Sequence, residues 1–212
     1  MKVQVERNQR VFFLSDPHYA HKNICRGASE WDFTNNLRDF SSVDEMNDTI
    51  VCNINKLVRE DDILFSLGDW SFGGVNKASE FRERLNVKTI HHILGNHDHH
   101  IRNNKEGARD LFTSVKEYSN VTLCLDKGGH HEKFNLVLMH FPICSWDGMS
   151  HGVIHLHGHL HLPPHLRVHR GKSMDVGMDG NSLFPISLEE VLDILGENPI
   201  ANNVITEGDY HE

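Results

Sequence analysis

Five short polar segments hold the residue types in this chain that bind metal ions or carry protons: Asp16-Pro17-His18, Gly68-Asp69, Gly95-Asn96-His97-Asp98, His140-Phe141-Pro142 and Gly158-His159-Leu160-His161. Imidazole is the commonest metal ligand and the usual proton carrier near neutral pH, and the chain contains 18 His. Abundance alone decides nothing, since a His-rich chain can equally be a metal-storage tract. No segment decides it singly either. An Asp two residues before a His is commonly a turn or cap residue, Gly68-Asp69 alone reads as a turn, and His140 reads equally as a half-buried histidine with its hydrogen bonds met. Their order and placement say more, because four of the five follow apolar runs, which is improbable for independent turns.

Those runs have the character of buried strands. Arg10 to Ser15 stops at Asp16, Ile63 to Leu67 at Gly68-Asp69, Lys88 to Leu94 at Gly95, and Phe134 to Met139 at His140, while Val153 to His157 precedes Gly158. Gly95 allows the close backbone approach of a tight turn. Further short strands are expected over Ser114 to Tyr118, Val121 to Leu125, Leu166 to His169 and Ser173 to Val176. Val43, Met46, Ile50, Ile54, Leu57 and Val58 recur at helical spacing behind a Ser42/Glu45 capping-box pair. Ala78, Phe81 and Leu85 mark a short amphipathic helix. A last helix opens at Ser187 with Glu190 as its capping partner and carries Leu188, Val191, Leu192 and Leu195. Early strand and helix alternation with a strand-rich second half predicts a mixed α/β layered fold, one domain over residues 1–212, with polar residues gathered at one sheet edge. A polar tail runs from about Gly196 to Glu212.

Composition bounds the partners. With 21 Lys and Arg against 30 Asp and Glu, a net charge of -9 gives little electrostatic support for binding a phosphate backbone, so nucleic acid is a disfavoured partner. Cys25, Cys52, Cys124 and Cys144 are too scattered for a zinc knot or redox pair and read as buried free thiols. The amino terminus is too polar for a signal peptide, and no run reaches the roughly 18 apolar residues of a membrane span. A cytoplasmic, reducing location with no membrane partner is the expectation.

With its five segments in this order, the chain resembles the calcineurin-like metallophosphoesterase superfamily at Asp16/His18, Gly68/Asp69, Gly95 to Asp98, His140 and Gly158 to His161. A narrower likeness, to small bacterial and phage-type phosphoesterases, rests on His18-Tyr19-Ala20-His21-Lys22-Asn23-Ile24, Glu45-Met46-Asn47, Ser145-Trp146-Asp147-Gly148 and His155-Leu156-His157-Gly158-His159. The resemblance implies an α/β sandwich of two mixed β-sheets flanked by helices, whose strand-end loops hold two divalent metal ions. By family position Asp16, His18 and His161 hold one ion, Asn96, His140 and His159 the other, and Asp69 bridges them. Carboxylate, imidazole and carboxamide ligands without a thiolate suit Mn²⁺ first, with Fe²⁺ or Zn²⁺ as alternatives, and not Cu(I). The implied reaction is attack of a metal-held hydroxide on a phosphoester. The resemblance makes His97 a catalytic group that contacts the phosphate or leaving oxygen, and Asp98 the carboxylate that orients its ring and raises its pKa.

Outside the motifs, His21, Asn23, Arg26 and Trp70 follow ligand loops and are candidates to touch substrate, and Trp146 is a candidate to stack a base or sugar, or simply to pack. His91, His92, His99, His100, His130 and His131 read mostly as solvated, and His155 and His157 as hydrogen-bond partners of the ligands. The segment between Asp16 and Asp69 leaves little room for a cap domain, which implies an open site for a small phosphorylated, nucleotide-like substrate, diester in preference to monoester. A nuclease, a protein phosphatase, a metal-binding scaffold without turnover and a metal-storage protein are the competing readings.

Overall fold

The structure, a computed structural model, describes residues 1–31, 37–126 and 128–201. Its elements are β1 (Lys2–Val5), β2 (Val11–Leu14), α1 (Val43–Leu57), β3 (Ile63–Ser66), α2 (Gly74–Glu83), β4 (Thr89–Ile93), α3 (His99–Arg102), β5 (Ser114–Lys116), β6 (Tyr118–Asp126), β7 (His131–Met139), β8 (Ile154–His157), β9 (Val168–His169), β10 (Ser173–Asp175), β11 (Ile186–Ser187) and α4 (Leu188–Gly196), with short 3₁₀ turns between.

Strands β2 and β3 are buried along their whole length, which is why they read as unbroken apolar runs rather than alternating ones. With β4 and β5 they lie parallel in a five-stranded sheet of order β11-β2-β3-β4-β5, in which β11 is the antiparallel edge. Parallel neighbours cannot be joined by a hairpin, and α1 and α2 make the crossovers from β2 to β3 and from β3 to β4. The second sheet has six strands in the order β1-β6-β7-β8-β10-β9, with β6 antiparallel to β7, β9 antiparallel to β10, and the other neighbours parallel.

The sheets face each other across one apolar layer. Val11, Phe13, Ile63, Phe65 and Ile93 of the five-stranded sheet meet Val121, Leu123, Leu136, Leu138, Leu156 and Met174 of the other. On the far side, Phe12, Leu14, Leu64 and Ile90 pack on Met46, Ile50 and Ile54 of α1 and on Ala78 and Phe81 of α2. The architecture is therefore a helix-flanked sandwich of two mixed sheets.

Several elements depart from the sequence reading. Strand β1 is short and half polar, alternating exposed and buried residues, and β11 is a two-residue edge; neither carries a strong apolar signal. Strand β7 begins at His131, because its polar first half extends the ladder with β6 past the core. At α1 the Ser42 side chain accepts from the Glu45 amide, but the Glu45 carboxylate turns to the Ser41 amide at 2.9 Å, so the expected box is half formed. At α4 both arms of the Ser187/Glu190 box are made. Cys25 and Cys124 are buried thiols, whereas Cys52 and Cys144 are exposed, contrary to the uniform burial expected. Residues 202–212 of the expected polar tail lie outside the described residues. No helix among the described residues is long and apolar enough to cross a membrane.

The capping box joins α4 to β11, so Ser187→Ala is expected to lower the unfolding free energy by about 1 kcal/mol. Urea unfolding should show an earlier midpoint at unchanged slope; an unchanged midpoint would show that the cap contributes nothing.

Candidate metal centre

Because β2, β3 and β4 are parallel, their carboxyl ends open at one edge of their sheet, and β7 and β8 do the same in theirs. Backbone bonds stitch the loops together there. Ser15 N–H donates to Val176 O at 3.1 Å, Asp16 N–H to Gly68 O at 3.1 Å, His18 N–H to Asp69 O at 3.1 Å and Gly158 N–H to His140 O at 2.9 Å. The loops are also strained. Asp16, His18, Asp69, His159 and His161 have φ of 56°, 52°, 55°, 73° and 52°, a left-handed backbone that costs a non-glycine residue about 1–3 kcal/mol and clusters at functional sites. Two glycines make the close approach possible. A Cβ on Gly95 would lie 2.1 Å from Asp69 Oδ1, and one on Gly158 would lie 1.9 Å from Ser15 Oγ and 2.4 Å from Asp16 Oδ2.

The sequence-predicted residues gather into two adjoining clusters. In the first, Asp16 Oδ1 is 3.6 Å from His18 Nε2 and 3.7 Å from His161 Nε2, and the two imidazole nitrogens are 3.2 Å apart. Nitrogens that ligate one ion at about 2.1 Å with tetrahedral or octahedral angles stand about 3.0–3.4 Å apart. In the second, Asp69 Oδ2 is 3.6 Å from His140 Nε2, which is 2.9 Å from Asn96 Oδ1. The same Asp69 Oδ2 is 3.7 Å from His18 Nε2, so one carboxylate oxygen stands between the clusters. Asp16, Asp69 and His140 also offer atoms within 4.8 Å of one another. His159 is at the edge but less engaged: its amide donates to Asp16 Oδ2 at 2.9 Å, and its ring lies 5.1 Å from that of His140 without joining either cluster of close ligand atoms.

The rings are held by their far nitrogens. His140 Nδ1 donates to Leu67 O at 2.7 Å, and His161 Nδ1 lies 2.7 Å from Asp179 Oδ2, which leaves each Nε2 directed inward. Asp179 is gripped in turn by buried Arg38, with Nε to Oδ1 at 2.8 Å and Nη2 to Oδ2 at 2.9 Å. The other donors of Arg38 reach Pro17 O and Asp16 O, each at 2.7 Å, and so fasten the first ligand loop. Sequence reasoning missed both residues, because 141 positions separate them and neither belongs to a motif.

Electrostatics set the two carboxylates apart. Burial, with the charges of Asp16 and Asp98 added, pushes Asp69 up to about 7. Burial alone would raise Asp16 as well, but the neighbouring His18 and His161 imidazoles hold it well below the usual carboxylate range. Burial drives His18 down to about 4. Burial opposes protonation of His161, but its Asp179 partner outweighs that and raises it. Asp16 Oδ1 is buried with no hydrogen-bond partner, and a buried anionic oxygen is costly unless a cation or donor meets it. That orphaned oxygen, the converging Nε2 atoms and the thiolate-free donor set fit divalent ions of the Mn²⁺, Fe²⁺ or Zn²⁺ type.

Asp98 is placed differently from its expected role. It is fully buried and accepts from the Asp69 and Gly95 amides at 2.8 Å, the Trp70 amide at 2.9 Å and His92 Nε2 at 3.1 Å. It therefore braces two ligand loops instead of orienting the His97 ring. The His97 amide donates to Asp69 Oδ1 at 2.8 Å while its side chain is 45% exposed, and burial lowers its pKa where a raised value was expected.

The other expected substrate contacts sort by burial. Trp70 is fully buried, donates to Ala78 O at 3.2 Å and packs on Phe81 and Phe112, so it is a core residue. Trp146 donates to Val153 O at 2.8 Å and packs with Val137 and Met149 on the outer face of the six-stranded sheet. Asn23 accepts from the Glu30 amide, and exposed Arg26 pairs with Asp39 at 3.1 Å. His21 does lie at the site, with its ring 5.2 Å from that of His18. His91, His92 and His100 are buried rather than solvated, whereas His99, His130 and His131 are exposed as expected. His155 and His157 are buried, and their Nδ1 atoms meet the backbone oxygens of Val137 and Gly158 rather than a ligand side chain.

Asp179→Asn removes the charge that holds His161 and should weaken Mn²⁺ binding roughly 10–100-fold at the His18/His161 position. The His140/Asn96 position should keep its affinity. Isothermal titration of the stripped protein separates the two; equal weakening at both positions would assign Asp179 to general stability.

No family model matches the chain. It is 29% identical over 203 residues to the uncharacterized protein MJ1445 of Methanocaldococcus jannaschii, covering 92% of this chain and 97% of that one. The crystal structure of AQ665, a protein of unknown function from Aquifex aeolicus, matches with a TM-score of 0.58 and 19% identity over 88% of this chain and 100% of that one, a likeness of fold alone. Both likenesses extend well beyond the ligand loops, over most of the chain.

Proposed function

We propose that this chain is a metal-dependent phosphoester hydrolase of the calcineurin-like type, acting on a small substrate and on diesters in preference to monoesters. The observation that carries the reading is the position of Asp69 Oδ2, 3.7 Å from His18 Nε2 and 3.6 Å from His140 Nε2. A carboxylate between two sets of inward-facing imidazoles is what a pair of cations about 3.5–4 Å apart requires. Bound there, the ions would acidify water and neutralise phosphate oxygens.

The chain's own residues divide the remaining work. Asp16, His18 and His161 hold one position, Asn96 and His140 the other with His159 beside them, and Asp69 serves both. Arg38, Asp179 and the Leu67 carbonyl fix the ligands in advance, so no reorganisation is needed when substrate arrives. His97 is the exposed imidazole next to Asp69, in place to donate a hydrogen bond or proton to the departing oxygen. A metal-storage role is disfavoured because His91, His92 and His155 are committed to internal hydrogen bonds with Ser114, Asp98 and Val137.

Mn²⁺-loaded protein tested against aryl phosphomonoesters, aryl phosphodiesters and cyclic nucleotides should turn over at least the diesters. Two bound ions with no turnover on any compound would instead favour a non-catalytic scaffold. Asp69→Asn is expected to lose both turnover and metal affinity, and His97→Ala to lose turnover, by about 10²–10⁴-fold, while keeping both ions. Equal metal loss in the two variants would contradict these roles.

A further inference from the structure

We infer that the mouth of this centre carries a ring-stacking subsite, built by Phe72, His21 and Trp31, which takes a nucleobase or similar planar group of a substrate with a single phosphoryl group. The inference rests on the phosphoesterase reading and adds the substrate class. Phe72 is brought to the site by the loop that carries Asp69: its amide donates to Tyr19 O at 2.8 Å, next to a bridge between Ser71 and Tyr19. Its ring lies 3.6 Å from the His21 ring at an interplanar angle of 8°, 5.3 Å from His18 and 4.9 Å from His97. Trp31 meets the edge of His21 at 5.7 Å and 86°.

Aromatic surface thus continues from a metal ligand and from His97 outward to an indole that is 48% exposed. Among the rings of the described residues Trp31 meets only the edge of His21, and together with Phe72 and His21 it makes a continuous aromatic surface beside a polar centre, the kind of patch that marks ligand contact. Stacking is the interaction such rings offer, and it tolerates any base because every base has a π-face. Burial excludes the stacking role expected of Trp146 and the substrate contact expected of Trp70, which leaves Trp31 of the chain's 3 Trp.

Charge restricts the substrate further. The cations described on this side of the mouth are already matched: Lys22 with Glu30, Arg26 with Asp39, and Arg38 turned inward on Asp179. They offer no clamp for a second phosphate, which favours a nucleoside monophosphate ester over a polyphosphate or a polynucleotide.

The test compares AMP, ribose 5-phosphate and inorganic phosphate as ligands of the full-length Mn²⁺-loaded protein, by calorimetry and by tryptophan fluorescence. AMP should bind about tenfold more tightly than ribose 5-phosphate and perturb the emission of Trp31, since the other two tryptophans are enclosed. Trp31→Ala and, separately, Phe72→Leu should bring AMP affinity down to that of ribose 5-phosphate. If AMP and ribose 5-phosphate bind equally and neither variant changes this, the subsite is overturned while the phosphoesterase reading stands. Failure of all three ligands to bind the loaded protein would overturn both.

Discussion

Two buried carboxylates placed side by side are the constraint on which the rest of this structure depends. Asp16 and Asp69 are almost wholly enclosed, and with His140 they bring ligand atoms within 4.8 Å of one another. Buried like charges cannot both ionise at ease, so their proton affinities separate: Asp69 rises to about 7 while Asp16 is held low. Cations bound at that point would turn the repulsion into attraction and offset the cost of the arrangement.

Everything around the pair serves to hold it. Parallel buried strands deliver the candidate ligands to one edge, and the loops beyond them accept left-handed backbone at Asp16 and Asp69. Asp98 gathers amides from two loops and a buried histidine. Arg38 reaches a carboxylate and two carbonyls at once, a task suited to a planar guanidinium with several fixed donors and not to the single point charge of a lysine. The glycines at 95 and 158 leave room where one loop passes against the carboxylate or hydroxyl of the next.

Much of this was legible in the sequence, for identifiable reasons. Strands covered on both faces are written as continuous apolar runs, so β2, β3 and the candidate ligands that follow them could be placed without a structure. His91 and His92 lie in a strand enclosed on both faces, so both had to be internal whichever way they pointed. Trp70 is adjacent to a ligand in sequence, yet its side chain is enclosed by Phe81 and Phe112. Arg38 and Asp179 were invisible because their meaning exists only once 141 intervening positions fold back. Phe72 and Trp31 carry no spacing signal and acquire a role only through His21.

The central claim is that Asp69 joins two metal positions. It is tested most directly by adding Mn²⁺ to metal-stripped protein and following electron paramagnetic resonance at low temperature. Two manganese ions that share a carboxylate are magnetically coupled, so the account predicts a coupled-pair spectrum that grows in as occupancy approaches two ions per chain. Saturation at one ion, or a spectrum of isolated Mn²⁺ at full occupancy, would contradict it.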